Sequence, residues 1–363
     1  MNRLGCLIVT ILFLGISSVF AAVPTGYGLV WSDEFTESKV DTTVWSFDVG
    51  NGTNGWGNQE MEYYTNSTNF TIDSGYGKLW AKHESMGGFN YTSCRMNTKG
   101  KKEFKYGYFE VKIRTAKGNG LWNAFWTLGG NIDTIPWPAC GEVELYEQRT
   151  GAVQHGGDAG DNCFIQTCHY GATYGPGATA MYNAHQTNTT SCLCNAFHTY
   201  SILWDSLGIT YYFDGTQTWT SPDINQSNNK GSFHQPHFFI ANMAVGGNYQ
   251  ALDGGTVDNS IFPQQMAIDY IRVYQKGVIT QAKPQEKQSS AEQIALANGS
   301  TASLKAFSLK GELVADITRD FRSSKAGGEN ALQASVNRLA RGAYVIRCID
   351  NSKTLFQRVV VSR

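Results

Sequence analysis

Between residues 22 and 275 no stretch carries the three-to-four-residue apolar spacing that an amphipathic helix requires. The pattern is instead one of short β-rich runs, such as GYFEVKIRTA (107–116), HTYSILWDSLGITYYFDG (198–215) and MAIDYIRVYQ (266–275). Gly, Asn, Ser and Asp punctuate them, as turn residues punctuate strands. Trp204–Phe213 followed by Asp214-Gly215 reads as two strands of a meander and a hairpin turn. A strand buries one face only by packing on another layer. About 250 residues of short strands therefore predict an all-β chain whose main body is a single large β-sandwich.

The two ends differ from this body. The opening MNRLGCLIVTILFLGISSVFAA has a basic start at Arg3, an apolar run of about ten residues and a small-residue site after Val19-Phe20-Ala21, which predicts an export signal over 1–21. The run is short for a membrane span, and no later segment is long and apolar enough to be one. From Lys276 onward there are 14 basic and 7 acidic residues, a net of +7. The remainder then carries -8 of the chain total of -1, and all nine tryptophans precede residue 276. That asymmetry predicts two domains, joined by a Gln-, Lys-, Ser- and Ala-rich linker over 276–298, with a small C-terminal β domain over 299–363. The tail's charges are scattered and not arranged as a stripe with interleaved aromatics, so no nucleic-acid partner is expected. Export permits disulfides. The tight pairs Cys163/Cys168 and Cys192/Cys194 suggest bridges between neighbouring strands, with the connectivity open; their spacing fits no usual zinc pattern.

GEVELYEQ (141–148) places Glu142, Glu144 and Glu147 in a segment of strand-forming residues. Alternation puts Glu142 and Glu144 on one face and Glu147 on the other. Two readings compete. In one, this is a solvated edge strand. In the other, it is a pair of catalytic carboxyl groups, which in a retaining glycosidase stand roughly 5–5.5 Å apart. Same-face neighbours on a strand project roughly 6–7 Å apart, so one strand can carry both groups. Glu147 joins them only if an extra residue is absorbed between Glu144 and Glu147, and a β-bulge does that. Crowding would also raise the carboxyl pKa values and keep an acid protonated. Trp122, Trp126 and Trp137 fall within twenty residues of the glutamates, more indole than a solvated edge carries. Each tryptophan singly could be core; together they offer faces on which sugar rings stack.

These residues bring a resemblance with them. GEVELYE resembles the signature of glycoside hydrolase family 16, in the bulged form typical of its laminarinases. LVWSDEF (29–35), GWGNQEMEYYT (55–65), KYGYFEVKIRTAKGNGLWNAFW (105–126), WPACGE (137–142), HTYSILWD (198–205), ANMAVGGN (241–248) and IDYIRVYQ (268–275) agree with the family in order, covering essentially all of 27–275. The resemblance implies a concanavalin-like β-jelly-roll over 22–275, with Glu142 as nucleophile and Glu147 as acid/base. Glu144 stands where the family usually has Asp, tuning the nucleophile. Asn58, Glu60, Arg95, Trp122, Trp126 and Trp137 match positions lining the sugar subsites, and His169 matches a histidine facing the catalytic strand. Cys94, where related sequences commonly have Gly, becomes a candidate to pair with Cys140. No cofactor is implied for catalysis. A structural calcium is implied at Asp269 with the backbone near Glu34 and Gly77.

The tail, LKGELVADI with LARGAYVIRCIDNSKTLFQRVVVSR, is similar to sorting domains of exported Bacteroidetes-type proteins. It implies a bacterial protein that is secreted or held at the outer cell surface, with secretion machinery as a partner. The activity implied is that of a monomeric endo-β-glucanase cutting β-1,3-glucan, with mixed-linkage β-1,3-1,4-glucan as the near alternative. A β-glucan-binding lectin would usually lack a catalytic carboxylate, and an algal galactan hydrolase fits GWGNQE and WPACGE less well.

Overall fold

The computed structural model describes residues 23–151, 160–174, 178–221, 224–225, 231–248 and 256–277, together with the backbone of four strands within 303–361. The segment 1–21, expected to be an export signal, and nearly all of the expected linker over 276–298 lie outside the described residues. Two eight-stranded antiparallel sheets form the main body. One runs Met181–Asn188, Cys163–Tyr170, Glu142–Arg149, Leu121–Gly129, His237–Val245, Arg95–Asn97 and Ser46–Phe47, with Glu103–Phe104 also on His237–Val245. The other runs Thr216–Ser221, Ile209–Phe213, His198–Trp204, Gly107–Arg114, Gln264–Lys276, Tyr76–Ala81 and Phe70–Asp73, with Tyr27–Asp33 on Gln264–Lys276. The all-β sandwich expected from the strand pattern is the fold observed.

The core lies between the sheets. Phe125, Val143, Leu145, Phe239 and Met243 from the first pack against Phe109, Val111, Ile113, Tyr200 and Ile202 from the second. Each of these is almost completely buried, which is worth about 1.5–3 kcal/mol per large apolar side chain. Alternation along the first sheet then sends Trp122, Trp126, Asn242, Arg95 and His169 to its outer face. Among the described residues no helix is long and apolar enough to cross a membrane. The second unit holds a four-stranded sheet in the order Leu313–Asp316, Ser303–Ser308, Gly342–Asp350, Lys353–Val361.

The cysteine expectations are corrected. A disulfide joins Cys192 to Cys194 within one turn and not two strands. Cys163 and Cys168 sit five residues apart on a single strand, roughly 16 Å at 3.3 Å per residue, too far to bridge. Cys94 belongs to the main core, while Cys140 belongs to a separate cluster with Leu128, Phe238 and Ile240; both are buried thiols, so that pairing does not form.

Candidate active site

In the strand Glu142–Arg149, Glu144 lies opposite Trp126 and Tyr146 opposite Phe125. On the other side Glu144 faces Thr167, and Glu147 faces Ile165. One residue of the strand is therefore extra in both ladders, a bulge at Leu145–Tyr146. Its cause is apolar: Leu145 and Tyr146 are consecutive, yet both are buried in the core. Strict alternation would instead drive the Glu147 carboxyl into that core, at the cost of an uncompensated buried charge. The bulge returns Glu147 to the face of Glu142 and Glu144, as the spacing of the three glutamates requires.

Each carboxyl has its own surroundings. Trp137 Nε1 donates to Glu142 Oε2 at 3.0 Å, and Glu142 Oε1 stands 3.6 Å from His169 Nε2. Trp122 Nε1 donates to Glu147 Oε1 at 2.8 Å. Glu144 is 6% exposed, its Oε2 lies 3.9 Å from His169 Nε2, and that oxygen has no hydrogen-bond partner among the described residues. Burial pushes Glu142 up to about 7, against relief from the Trp137 indole and the Arg95 charge. Burial also raises Glu147, with His169 and the Trp122 indole opposing. Glu144 is raised furthest in kind: burial leads, and the charges of Glu147 and Glu142 add to it. Glu144 is thus the carboxyl most favoured in its protonated form, with Glu142 and Glu147 on either side of it. Burial lowers His169 and favours its neutral imidazole, against the pull of the Glu147 charge.

One flank of this strand is an indole–guanidinium stack. The Arg95 guanidinium carbon lies 4.5 Å from the Trp56 ring centroid and 5.0 Å from that of Trp126. Asp48 holds it, accepting from Arg95 Nε at 3.0 Å and from Asn97 Nδ2 at 3.0 Å. Trp126 Nε1 donates to Asn242 Oδ1 at 2.7 Å; Asn242 Nδ2 reaches Tyr64 OH at 3.2 Å; Tyr64 OH donates to Glu60 Oε2 at 2.8 Å. Asn58 Nδ2 donates to Glu60 Oε1 at 3.3 Å. Behind them Glu62 is fully buried, and it accepts from Val245 N–H at 2.6 Å. Burial, then the neighbouring Glu60 carboxylate, raises Glu62 well above the ordinary range, so it is a neutral acid beside Glu60. The loop delivering Trp56 and Asn58 holds Asn54, Gly55, Trp56, Gly57 and Gln59 at positive φ. Gly55 is required there, because a side chain would strike the backbone of Glu60.

Of the expected subsite residues, Trp122, Trp137 and His169 stand directly against the glutamates, Trp126 is paired with Glu144 and Arg95 acts on Glu142 by its charge, while Asn58 and Glu60 connect to Trp126 through Tyr64 and Asn242. Asp48, Trp56, Tyr64, Glu62 and Asn242 had no sequence signal of their own, although the GWGNQEMEYYT and ANMAVGGN blocks contained four of them. The convex-side trio also converges: Phe35, next to Glu34, covers Gly77, and Gly77 pairs with Ile268, next to Asp269. Asp269 lies 3.1 Å from Lys112 Nζ, while the Glu34 carboxylate, not one of the implied ligands, accepts twice from Arg272, at 2.9 and 3.0 Å. A calcium ion held by Asp269 and the backbone near Glu34 and Gly77 would share Asp269 with Lys112. Among the described residues, the one acid–imidazole cluster with metal-ligand proximity is Glu142, Glu144 and His169, whose ligand atoms lie within 4.8 Å of one another.

The family model for glycosyl hydrolases family 16 matches residues 51–272, more than half of the chain. The clotting factor G alpha subunit of Tachypleus tridentatus is 34% identical over 265 residues, 73% of this chain and 36% of that protein. Glucan endo-1,3-beta-glucosidase A1 of Niallia circulans is 32% identical over 276 residues, 69% of this chain and 38% of that protein. The chain thus spans little more than a third of the length of these two relatives. The crystal structure of laminarinase from Flavobacterium sp. UMI-01 superposes with a TM-score of 0.58 at 36% identity, covering 68% of this chain and 100% of the laminarinase. The match in sequence, the sandwich and the bulged glutamate strand coincide over the same residues, and the chain belongs to the glycosyl hydrolases of family 16.

Proposed function

We propose that this protein is a retaining endo-β-glucanase that hydrolyses β-1,3-glucan of the laminarin type. The observation that carries the reading is the bulge, which sets Glu142 and Glu147 on one face with Glu144, the carboxyl most favoured in its protonated form, between them. Trp137 occupies Glu142 Oε2, so Oε1 is the oxygen left to attack the anomeric carbon. Trp122 likewise occupies Glu147 Oε1, leaving Oε2 to carry the acidic proton. In the first step Glu147 gives that proton to the glycosidic oxygen as the bond to the anomeric carbon breaks and Glu142 forms a glycosyl ester. Glu147, now a carboxylate, then takes a proton from water, whose oxygen displaces Glu142. The two inversions restore the β configuration. A neutral Glu144 raises no charge against either intermediate.

The 1,3-linkage is favoured by the names of the relatives above, and mixed-linkage glucan is the close second substrate. The leader and the basic tail support export to the medium or the outer cell surface of a bacterium. The test is reducing-sugar release from laminarin, lichenan and agarose by wild type and Glu142→Gln, with the product anomer followed by proton NMR. The expected result is cleavage of laminarin with β product, abolished by the substitution. Equal activity in Glu142→Gln would overturn the nucleophile, and sugar binding without cleavage would make the protein a lectin.

A further inference from the structure

The stack of Trp56, Arg95 and Trp126 lies on one flank of the glutamate strand, while a polysaccharide cut in its interior must leave the scissile bond in both directions. On the opposite flank the strands Cys163–Tyr170 and Met181–Asn188 follow in order, and Glu142, His169 and Tyr182 stand directly opposite one another across them. Directly paired residues share a face, so Tyr182 stands on the face of the catalytic glutamates. At roughly 4.8 Å per strand it is roughly 10 Å beyond Glu142. Tyr182 is 66% exposed, and Trp137, 44% exposed, stands nearer the centre. Between them lies His169, with ring centroids 6.3 Å from Trp137 and 5.7 Å from Tyr182. Two positions along, the paired neighbours Thr167 and Ala184 are short, so Tyr182 is flanked on this face by low ground.

An exposed tyrosine by itself means little. This one completes a row, Trp137–His169–Tyr182, that begins at the nucleophile and runs away from the known stack. A tyrosine face suits the C–H face of a β-glucopyranose, whose hydroxyl groups are equatorial, and the phenol can reach one of those hydroxyls. We infer that Tyr182 is the platform of a further sugar subsite, on the side of the catalytic strand away from Trp126 and Arg95, that grips the continuing glucan chain. The inference rests on the glucan-hydrolase reading for the identity of the sugar.

The experiment has two arms. In the first, otherwise wild-type protein carrying Tyr182→Ala or Tyr182→Phe is assayed on laminarin and on end-labelled laminarihexaose. Tyr182→Ala is expected to raise KM about 3- to 10-fold, to leave kcat nearly unchanged, and to shift which bond of the hexasaccharide is cut. Tyr182→Phe keeps the ring and the cleavage pattern. In the second arm, Kd for laminarihexaose is measured by calorimetry in a Glu142→Gln background with and without Tyr182→Ala, and the same weakening is expected. Unchanged KM, cleavage pattern and Kd would overturn the subsite while leaving the glucanase reading intact. Weakened binding by a protein that cuts no glucan would sink the glucanase reading and keep the subsite. No binding of the hexasaccharide at all would overturn both.

Discussion

Replacing Glu142 by Gln is expected to abolish turnover and also to stabilise the protein at alkaline pH. Burial raises the Glu142 carboxyl from 4.5 to about 7 in the folded chain. Below pH 4.5 the group is protonated in both folded and unfolded states and contributes no difference. Between pH 4.5 and about 7 the unfolded state ionises this carboxyl while the folded state still holds its proton, so stability falls across that window and levels off once the folded group ionises too. A shift from 4.5 to about 7 corresponds to about 3 kcal/mol above pH 8. That is an upper figure, because 12% of the side chain remains accessible to solvent. Gln fills the same space without the charge and still accepts from the Trp137 indole. Relative to wild type, Glu142→Gln should therefore gain about 3 kcal/mol between pH 4.5 and pH 8, or about 6–12 °C in melting temperature for a unit of this size. Tryptophan emission is the right probe, since all nine tryptophans precede residue 276 and report only on the catalytic unit. Parallel pH profiles for the two proteins would refute the account, because they would mean that Glu142 is not held out of water in the folded state.

Three further outcomes follow from named contacts. Glu62→Leu strands the Val245 N–H and removes the neutral acid beside Glu60, so it should cost about 1–3 kcal/mol and raise KM through the Tyr64–Asn242–Trp126 chain; Glu62→Gln should do neither, as thermal melts and glucan kinetics will show. Zinc should inhibit in competition with glucan and be reversed by EDTA, because Glu142, Glu144 and His169 offer it three ligands, whereas magnesium should not; indifference to excess zinc counts against that trio. With Lys112 beside Asp269, EDTA should leave the wild-type melting temperature unchanged, and Lys112→Ala should make it respond to calcium; a fall in the wild type would show that calcium displaces the lysine.

Much of the site could be read before any coordinates. Glu142, Glu144 and Glu147 carry a parity mismatch that only a bulge repairs, and such a local mismatch is visible wherever strand alternation is strong. Trp122, Trp126 and Trp137 were visible for a similar reason, being crowded near those glutamates in the chain. Tyr182 was not visible. It is forty residues from Glu142, and its neighbours MYNAHQTN have neither a motif nor a strong apolar pattern. Asp48 and Asn242 escaped for the same reason, since each acts on Arg95 or Trp126 across strands distant in sequence. The cysteines misled because nearness along a strand is not nearness in space: five residues of extended chain separate Cys163 from Cys168, and a layer of sheet separates the surroundings of Cys94 from those of Cys140.

The sequence by itself determined the layered all-β architecture and the bulged strand that carries the glutamates, because alternation and side-chain volume act between neighbours in the chain. Only the tertiary structure decided which carboxyl is pushed most toward its protonated form and which side chains share the face of the glutamates. Those depend on burial and on charges brought together from several strands: Trp137 on Glu142, Trp122 on Glu147, both charges on Glu144, and Tyr182 in line with His169. Such fields fall off over a few ångströms of space and take no account of distance along the chain.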